Sequence, residues 1–250
     1  MKRSAKNKEG ANVKMIIDKE KCVGCGRCIE YCPMHAISIV DKKACIDDAR
    51  CAECANCFKV GCLNGAIINN ADKLVWPRTM RSLMSDPLTI CEETGVGGRG
   101  TEEMKTNDVT LRFNDRNRLG ICIDLGRPNV GLCLRDLEKL TMRLAKLGVE
   151  FERANPVDYL MADRTTGKLK DEVLDEHFIS CVVEFDIEAD RLPELIQAFK
   201  DVEPEIDTVF SVGIISRAYS RDDIPAVDAL RKYQIPFRIN GKTCVGLGHK

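Results

Sequence analysis

Residues 22–33 read CVGCGRCIEYCP, so that Cys22, Cys25, Cys28 and Cys32 are separated by two, two and three residues and Pro33 closes the run. Residues 51–62, CAECANCFKVGC, repeat the arrangement with Cys51, Cys54, Cys57 and Cys62. The likeness extends beyond the cysteines. Ile17-Asp18 precedes Cys22 as Ile46-Asp47 precedes Cys51, and Ala36-Ile37 follows Cys32 as Ala66-Ile67 follows Cys62. The offset between the copies is 29 residues through Cys57 and 30 from Cys62 onward, which places one inserted residue between Cys57 and Cys62. Each copy thus predicts a short strand, a cysteine loop and a second short strand. Two-residue gaps let successive thiolates curl round one face of a metal cluster, and Gly24 and Gly26 permit a tight wrap with backbone N–H groups aimed at sulfur.

The first run resembles the C-x2-C-x2-C-x3-C-P pattern with which bacterial-type ferredoxins hold cubane iron–sulfur clusters. The resemblance covers residues 15–70. It implies two [4Fe-4S] clusters with crossed ligand sets, because in that family the fourth cysteine of each run serves the other cluster. Cys22, Cys25, Cys28 and Cys62 would hold one cluster, and Cys32, Cys51, Cys54 and Cys57 the other. The second run departs from the pattern: four residues precede Cys62, and Leu63 stands where proline is usual. That change deletes no thiolate but alters the surroundings that set the cluster's potential. Zinc and disulfides compete for the same residues. Zinc sites seldom take three cysteines at consecutive two-residue gaps plus a distant fourth, twice over. Disulfides need an oxidising compartment, and residues 1–14, MKRSAKNKEGANVK, are polar and basic without the apolar core of a signal peptide. A reducing cytoplasm is the expected location, and exposed low-potential clusters favour an anaerobe.

Composition narrows the rest. The chain has 250 residues, 31% of them charged, with a formal charge of −1, and no apolar run approaches the ~20 residues a membrane-spanning helix needs. Near-neutrality and 5% aromatic residues argue against nucleic acid as a partner. Residues 1–75 carry 13 Lys and Arg against 9 Asp and Glu. A cluster module that is basic in its side chains suits a docked relay better than an acidic diffusible shuttle, although the basic residues at 2–14 also read as a solvated tail.

The expected organisation is a basic tail at 1–14, a two-[4Fe-4S] ferredoxin domain at 15–75, a linker at 76–117 and a second domain at 118–250. The fold class is α+β. In the linker, Trp76-Pro77 and Asp86-Pro87 interrupt any helix, and residues 94–100, TGVGGRG, are too rich in glycine for regular structure. This stretch reads either as a plain connection or as a loop in which Gly97, Gly98, Arg99 and Gly100 approach the phosphates of a flavin. It matches neither of the standard glycine-rich nucleotide-binding patterns. Beyond it the hydrophobic pattern alternates. Strands are expected at Arg118–Leu125, 178–187, 207–215 and 235–239, helices at 132–147, 192–199 and 224–233, and an extended piece at 149–151. That alternation predicts a small α/β sandwich, a mixed or antiparallel sheet with helices on one face, and leaves 153–176 as a long polar connection.

The other cysteines form no close pair. Cys45 aligns with Ile16 in the repeat and reads, like Cys122 and Cys181, as a small buried hydrophobe. Cys133 carries no motif. Cys91 and Cys244 adjoin glycine-rich stretches and are weak candidates for cofactor contact. His35, His177 and His249 are scattered, so no acid–base constellation assembles, and the residues of any catalysis stay unknown. Asp124, Arg127 and Asn129 cluster before the 132–147 helix, where Asn129 could cap it or the group could meet a partner. Residues 97–110, GGRGTEEMKTNDVT, following a ferredoxin module, resemble the amino-terminal half of ferredoxin-dependent 6-hydroxynicotinate reductases. That likeness implies an electron-input subunit for a reductase, with flavin on this chain or on a partner.

Together these readings predict an iron–sulfur electron-transfer protein. It would relay single electrons through two clusters to a partner reductase in a hetero- or homo-oligomer, as a component of an oxidoreductase rather than a complete enzyme. The alternatives are a self-contained low-potential reductase that binds flavin or a small substrate in its C-terminal domain, and a redox- or metabolite-sensing regulator.

Overall fold

A computed structural model describes residues 14–70, 73–90, 113, 115–153 and 155–238. The candidate loop Gly97, Gly98, Arg99 and Gly100 lies outside the described residues, as do Cys91, Cys244, His249 and nearly all of the N-terminal tail.

The repeat in the sequence becomes a repeat in space. Strand β1 (Met15–Ile17) leads to the first cysteine loop and helix α1 (Arg27–Glu30), then β2 (Ile37–Val40). The second copy supplies β3 (Lys43–Ile46), α2 (Asn56–Lys59) and β4 (Ile67–Asn69). Pairing exchanges partners between the copies: β1 runs antiparallel to β4 with Ile16 opposite Ile68, and β2 runs antiparallel to β3 with Ser38 opposite Cys45. Met15, Ile17, Ile37, Ala44, Ala66 and Ile67 form the small core between these hairpins and include Cys22 and Cys57 among their neighbours. So few apolar side chains provide little burial energy, which is the usual situation in a domain stabilised by a metal group.

Within the stretch read as a linker, helix α3 (Thr79–Ser85) forms between the two prolines, and six of its seven residues are buried. Its two sides serve different bodies. Met80, Leu83 and Met84 join the large C-terminal core. Arg78 and Arg81 turn towards the cysteine module. Asp86, just after the helix, accepts from Lys14 Nζ at 2.9 Å and Lys59 Nζ at 2.6 Å. Lys14 and Asp86 are both nearly buried, so each charge depends on the other for its solvation.

The C-terminal part is built on three antiparallel strands in the order β10 (Cys181–Glu188), β5 (Arg118–Leu125) and β11 (Phe210–Ile215). Ile123 at the centre of β5 faces Val183 on one side and Val212 on the other. Leu119, Ile121, Ile123 and Leu125 alternate into a core with Leu137, Leu140 and Leu144 of α4 (Leu134–Ala145), Leu195 and Phe199 of α6 (Leu192–Val202), and Leu230 of α7 (Pro225–Lys232). The strand forecast for 118–125 matches β5. The helix read at 132–147 begins with two strand residues, β6 (Leu132–Cys133), which pair with β9 (His177–Phe178). Consequently the strand read at 178–187 is broken at Ile179 and Ser180, where the Ile179 N–H donates to Ser85 Oγ instead of to a ladder partner. The extended piece at 149–151 contributes one bridge, Phe151 to Phe185.

The polar connection at 153–176 is more ordered than its composition suggested. It contains α5 (Pro156–Leu160), whose start is capped by Asn155 Oδ1 accepting from the Val157 N–H at 2.9 Å, and a hairpin of β7 (Met161–Asp163) and β8 (Lys168–Leu169). Residues 235–238 form no strand, contrary to the alternation expected there. Among the described residues, no helix is long and apolar enough to cross a membrane. The architecture is α+β, small antiparallel sheets with separate helices.

Candidate metal centre

The two cysteine loops each wrap a cavity. One, of about 140 Å³, is lined by Cys22, Cys25, Cys28 and Cys62 together with Ile17, Val23, Ala44, Val60 and Leu63. The other, tighter at about 20 Å³, is lined by Cys32, Cys51, Cys54 and Cys57 with Met15, Met34, Ala36, Ala52 and Ala55. Cys57 borders both, so the cavities are adjacent. The first therefore takes three cysteines from its own loop with Cys57 and Cys62 of the other copy, and the second takes three from its own loop with Cys32 of the other copy. None of the described cysteines is in a disulfide.

Local structure explains this exchange. The third cysteine of each loop sits in a single helical turn, α1 or α2, which carries the fourth cysteine away from its own loop. There the sulfur is met by the backbone that follows. Cys32 Sγ accepts from the Ala36 N–H at 3.3 Å, and at the matching place Cys62 Sγ accepts from the Ala66 N–H at 3.4 Å. Cys22 Sγ accepts from the Ala44 N–H of β3 at 3.3 Å. Backbone donors of this kind favour thiolate over thiol, and the bond from Ala66 holds the Cys62 thiol below its ordinary value. Burial works the other way in the tighter cavity. It pushes Cys57 up to about 12, raises Cys54, and raises Cys51, to which the nearby Glu53 carboxylate adds. Buried, mutually repelling sulfurs stay deprotonated only when positive charge is placed among them, which is the chemistry an iron–sulfur core provides.

Among the described residues, no three His, Cys, Asp or Glu side chains converge as ligands of a single ion.

The surroundings of the two cavities differ. At the first, Cys25 is exposed, and Val23 and Leu63, 65% and 81% exposed, present apolar side chains to solvent. The second is walled by the C-terminal part. Met34, Ala36 and Ala52 pack with Ile179, and Met34 lies against Gly131. Arg81, 4% exposed, donates from Nη1 to the carbonyls of Asp48 and Ala49 at 3.0 Å and of Cys51 at 2.7 Å, and pairs through Nε with Glu176. Glu53, inside the second loop and fully buried, accepts from Arg78 Nε at 2.6 Å and from the Met15 N–H at 3.3 Å. Glu53 occupies the repeat position of Gly24, so comparison of the two copies already marks it as unusual. Arg78 and Arg81 carried no sequence signal, since they stand outside the repeat.

The remaining candidates scatter. His35 is exposed and takes a positive φ of 49°, matching Gly65 at 60° in the other copy. Arg127 pairs with Asp124 at 3.0 Å and donates to Ser180 Oγ at 3.1 Å. Asn129 lies in the turn before β6 and does not cap α4, which starts after Cys133 without a side-chain cap. Cys181 is buried, as read, but Cys45 is only half buried, and its sulfur faces Lys19.

A cysteine-walled, β-framed module of this kind defines an iron–sulfur, ferredoxin-like class. A family model described as 4Fe-4S binding domain matches residues 15–38, which span β1, the first cysteine loop, α1 and the start of β2. The match indicates a [4Fe-4S] cluster and iron–sulfur electron transfer. Comparison with curated proteins and with solved structures found no match.

Proposed function

We propose that this protein is a two-cluster electron relay, with one [4Fe-4S] group held by Cys22, Cys25, Cys28 and Cys62 and a second by Cys32, Cys51, Cys54 and Cys57. The observation that carries the reading is the pair of adjacent cavities, each lined by the three cysteines of one loop and reached by a cysteine that follows the other loop's helical turn, with Cys57 bordering both. A cubane so held takes up and releases one electron at a time. The chain's own part is to fix the sulfurs, direct N–H groups of Ala36, Ala44 and Ala66 at them, and set burial and charge differently on the two sides. The exposed Cys25, Val23 and Leu63 favour the first cavity as the contact point of an external redox protein. The second faces a C-terminal part that we read as an α/β sandwich used for docking onto a reductase, with any flavin on that partner. Free cysteines fit a reducing, cytoplasmic setting.

Purification under anoxia followed by iron and sulfide analysis tests this. About eight irons per chain are expected. Cys62→Ala should lose about half of the iron, and so should Cys32→Ala, whereas Cys45→Ala should keep all of it. Full iron retention by both single variants, or a parent protein with half the iron, would refute the two-cluster assignment. Stoichiometric flavin bound to the isolated chain would refute the pure relay in favour of a self-contained reductase.

A further inference from the structure

Lys19 lies in the turn between β1 and Cys22, and Cys45 is the third residue of β3. Their side chains meet, with Lys19 Nζ 2.7 Å from Cys45 Sγ. Elsewhere in this module nitrogen donors stand 3.3 Å from Cys22 and Cys32 sulfur and 3.4 Å from Cys62 sulfur. The Lys19 contact is thus much shorter than the N–H···S hydrogen bonds of the same chain, and nitrogen and sulfur at this separation lie inside ordinary van der Waals contact. It is the separation that a single oxygen atom bonded to both would produce.

Three further features set the pair apart. The amine is held in place, because Nζ also donates to the carbonyl of Ala44, the residue before Cys45. The neighbouring carboxylate of Asp18 is engaged by Lys21 at 3.3 Å. Cys45 borders neither sulfur-lined cavity, and both it and Lys19 are half buried, open to small oxidants. The repeat adds a contrast: the counterparts of Lys19 and Cys45 are Asp48 in the second copy and Ile16 in the first, so only one such pair exists in the module.

We propose that Lys19 and Cys45 are an oxidative modification site at which one oxygen atom bridges Nζ and Sγ covalently. The oxidant is dioxygen. After the ammonium gives up a proton to solvent, one N–H bond and the S–H bond break, and N–O and O–S bonds form. The second oxygen atom of dioxygen leaves as water with the two hydrogens released. Two equivalents of a dithiol reverse the step, restoring amine and thiol and releasing the bridging oxygen as water. The bridge fastens the turn that enters Cys22 to the strand whose Ala44 N–H donates to Cys22 Sγ, so it locks one wall of the more open cavity. It differs from the ordinary oxidation ladder of cysteine in consuming the lysine as well.

The test is peptide mapping of the full chain, purified under anoxia and split into anoxic and air-exposed portions, digested with chymotrypsin without reductant. The expected product in air is a joined pair of peptides containing Lys19 and Cys45, heavier than their sum by one oxygen and lighter by two hydrogens. It is absent from the anoxic portion and removed by dithiothreitol. Lys19→Arg and Cys45→Ser should each abolish it while retaining the parent's iron content, a separate readout that keeps this result independent of the number of clusters. The proposal is overturned if air-exposed Cys45 still alkylates as a free thiol, if it is found as an uncrosslinked sulfenic or sulfinic acid, if the link lacks the oxygen, or if it persists in Lys19→Arg. The map of the unmodified chain decides the matter even if a variant fails to fold.

Discussion

Gly24 and Gly26 both take left-handed backbone angles, φ 69° and 77°, yet their replacement by alanine should have unequal effects. A non-glycine residue in this region costs about 1–2 kcal/mol, and the second loop shows that the module can bear it, since Glu53 and Ala55 hold φ 53° and 58° at the equivalent positions. The difference lies in what the new methyl group meets. At Gly26 the nearest atom is Ile29 Cδ1 at 4.0 Å, ordinary contact, so Gly26→Ala bears the conformational cost alone, about 1 kcal/mol. At Gly24 the methyl would lie 2.2 Å from the Lys42 carbonyl oxygen. That oxygen is backbone in the β2–β3 turn and must retreat by about an ångström, adding an overpacking cost of about 1–3 kcal/mol. The turn cannot move freely, because the next residues hold Cys22: Lys43 Nζ donates to its carbonyl at 2.6 Å and the Ala44 N–H to its sulfur. The assay is the apparent thermal midpoint under anoxia at one fixed scan rate, with iron release to a chelator followed in parallel. Taking about 2–4 °C per kcal/mol for a chain of this size, Gly26→Ala should lower the midpoint by about 2–4 °C and Gly24→Ala by about three times as much, with faster iron release. Equal losses, or a larger loss for Gly26→Ala, would show that backbone angle and not the Lys42 contact determines where glycine is needed.

Two other outcomes are expected. Arg81→Met strands the buried Glu176 carboxylate and removes the donor to three carbonyls, a loss of about 3–5 kcal/mol. Hydrogen exchange should then rise together at residues 48–54 and 176–178, and loosening on one side only would contradict a shared clamp. His177 is held below its ordinary value, first by burial and then by the charge of Arg81, against smaller opposing effects of Asp175 and Glu176, with Cys133 on the strand opposite. Because the unfolded chain protonates first, its contribution to stability is complete above about pH 6.5 and declines as pH falls below that value. His177→Asn should flatten this part of the profile of midpoint against pH, and an unchanged profile would assign the dependence to other groups.

The cysteine module was legible because its information is local and duplicated. Ligand spacing is rigid, and the second copy checks the first, down to the strands that flank each loop. Strand β5 was legible for a similar reason, since RLGICIDL alternates against a core on one face. Helix α3 was hidden. TMRSLMS has only a short apolar stripe, Met80, Leu83 and Met84, set between two prolines, and its other side is covered by polar groups of the cysteine module. The order within 153–176 was masked by charge, because the residues that anchor it in the core, Val157, Leu160, Met161, Leu169 and Val173, are interspersed with charged ones and follow no single period. The split between β9 and β10 depends on Ser85, a partner 94 residues away, which no window of sequence reveals. Glu53 and Lys19 stand in the repeat at places where the other copy has Gly24 and Asp48. The substitutions were visible, but their partners were not.

The exchange of cysteines between cavities also orders events during synthesis. When residue 50 has left the ribosome, the nascent chain displays five cysteines, of which Cys22, Cys25 and Cys28 border one cavity, Cys32 borders the other and Cys45 borders neither. The second cavity has its four cysteines once Cys57 emerges, the first lacks Cys62 until five residues later, and the β1–β4 ladder waits for residue 69. The opening strand must therefore remain unpaired while more than fifty residues follow it. Until Cys62 joins Cys22, Cys25 and Cys28 the first cavity lacks part of its wall, and a group that reached those three thiols early must either await the second copy or leave again.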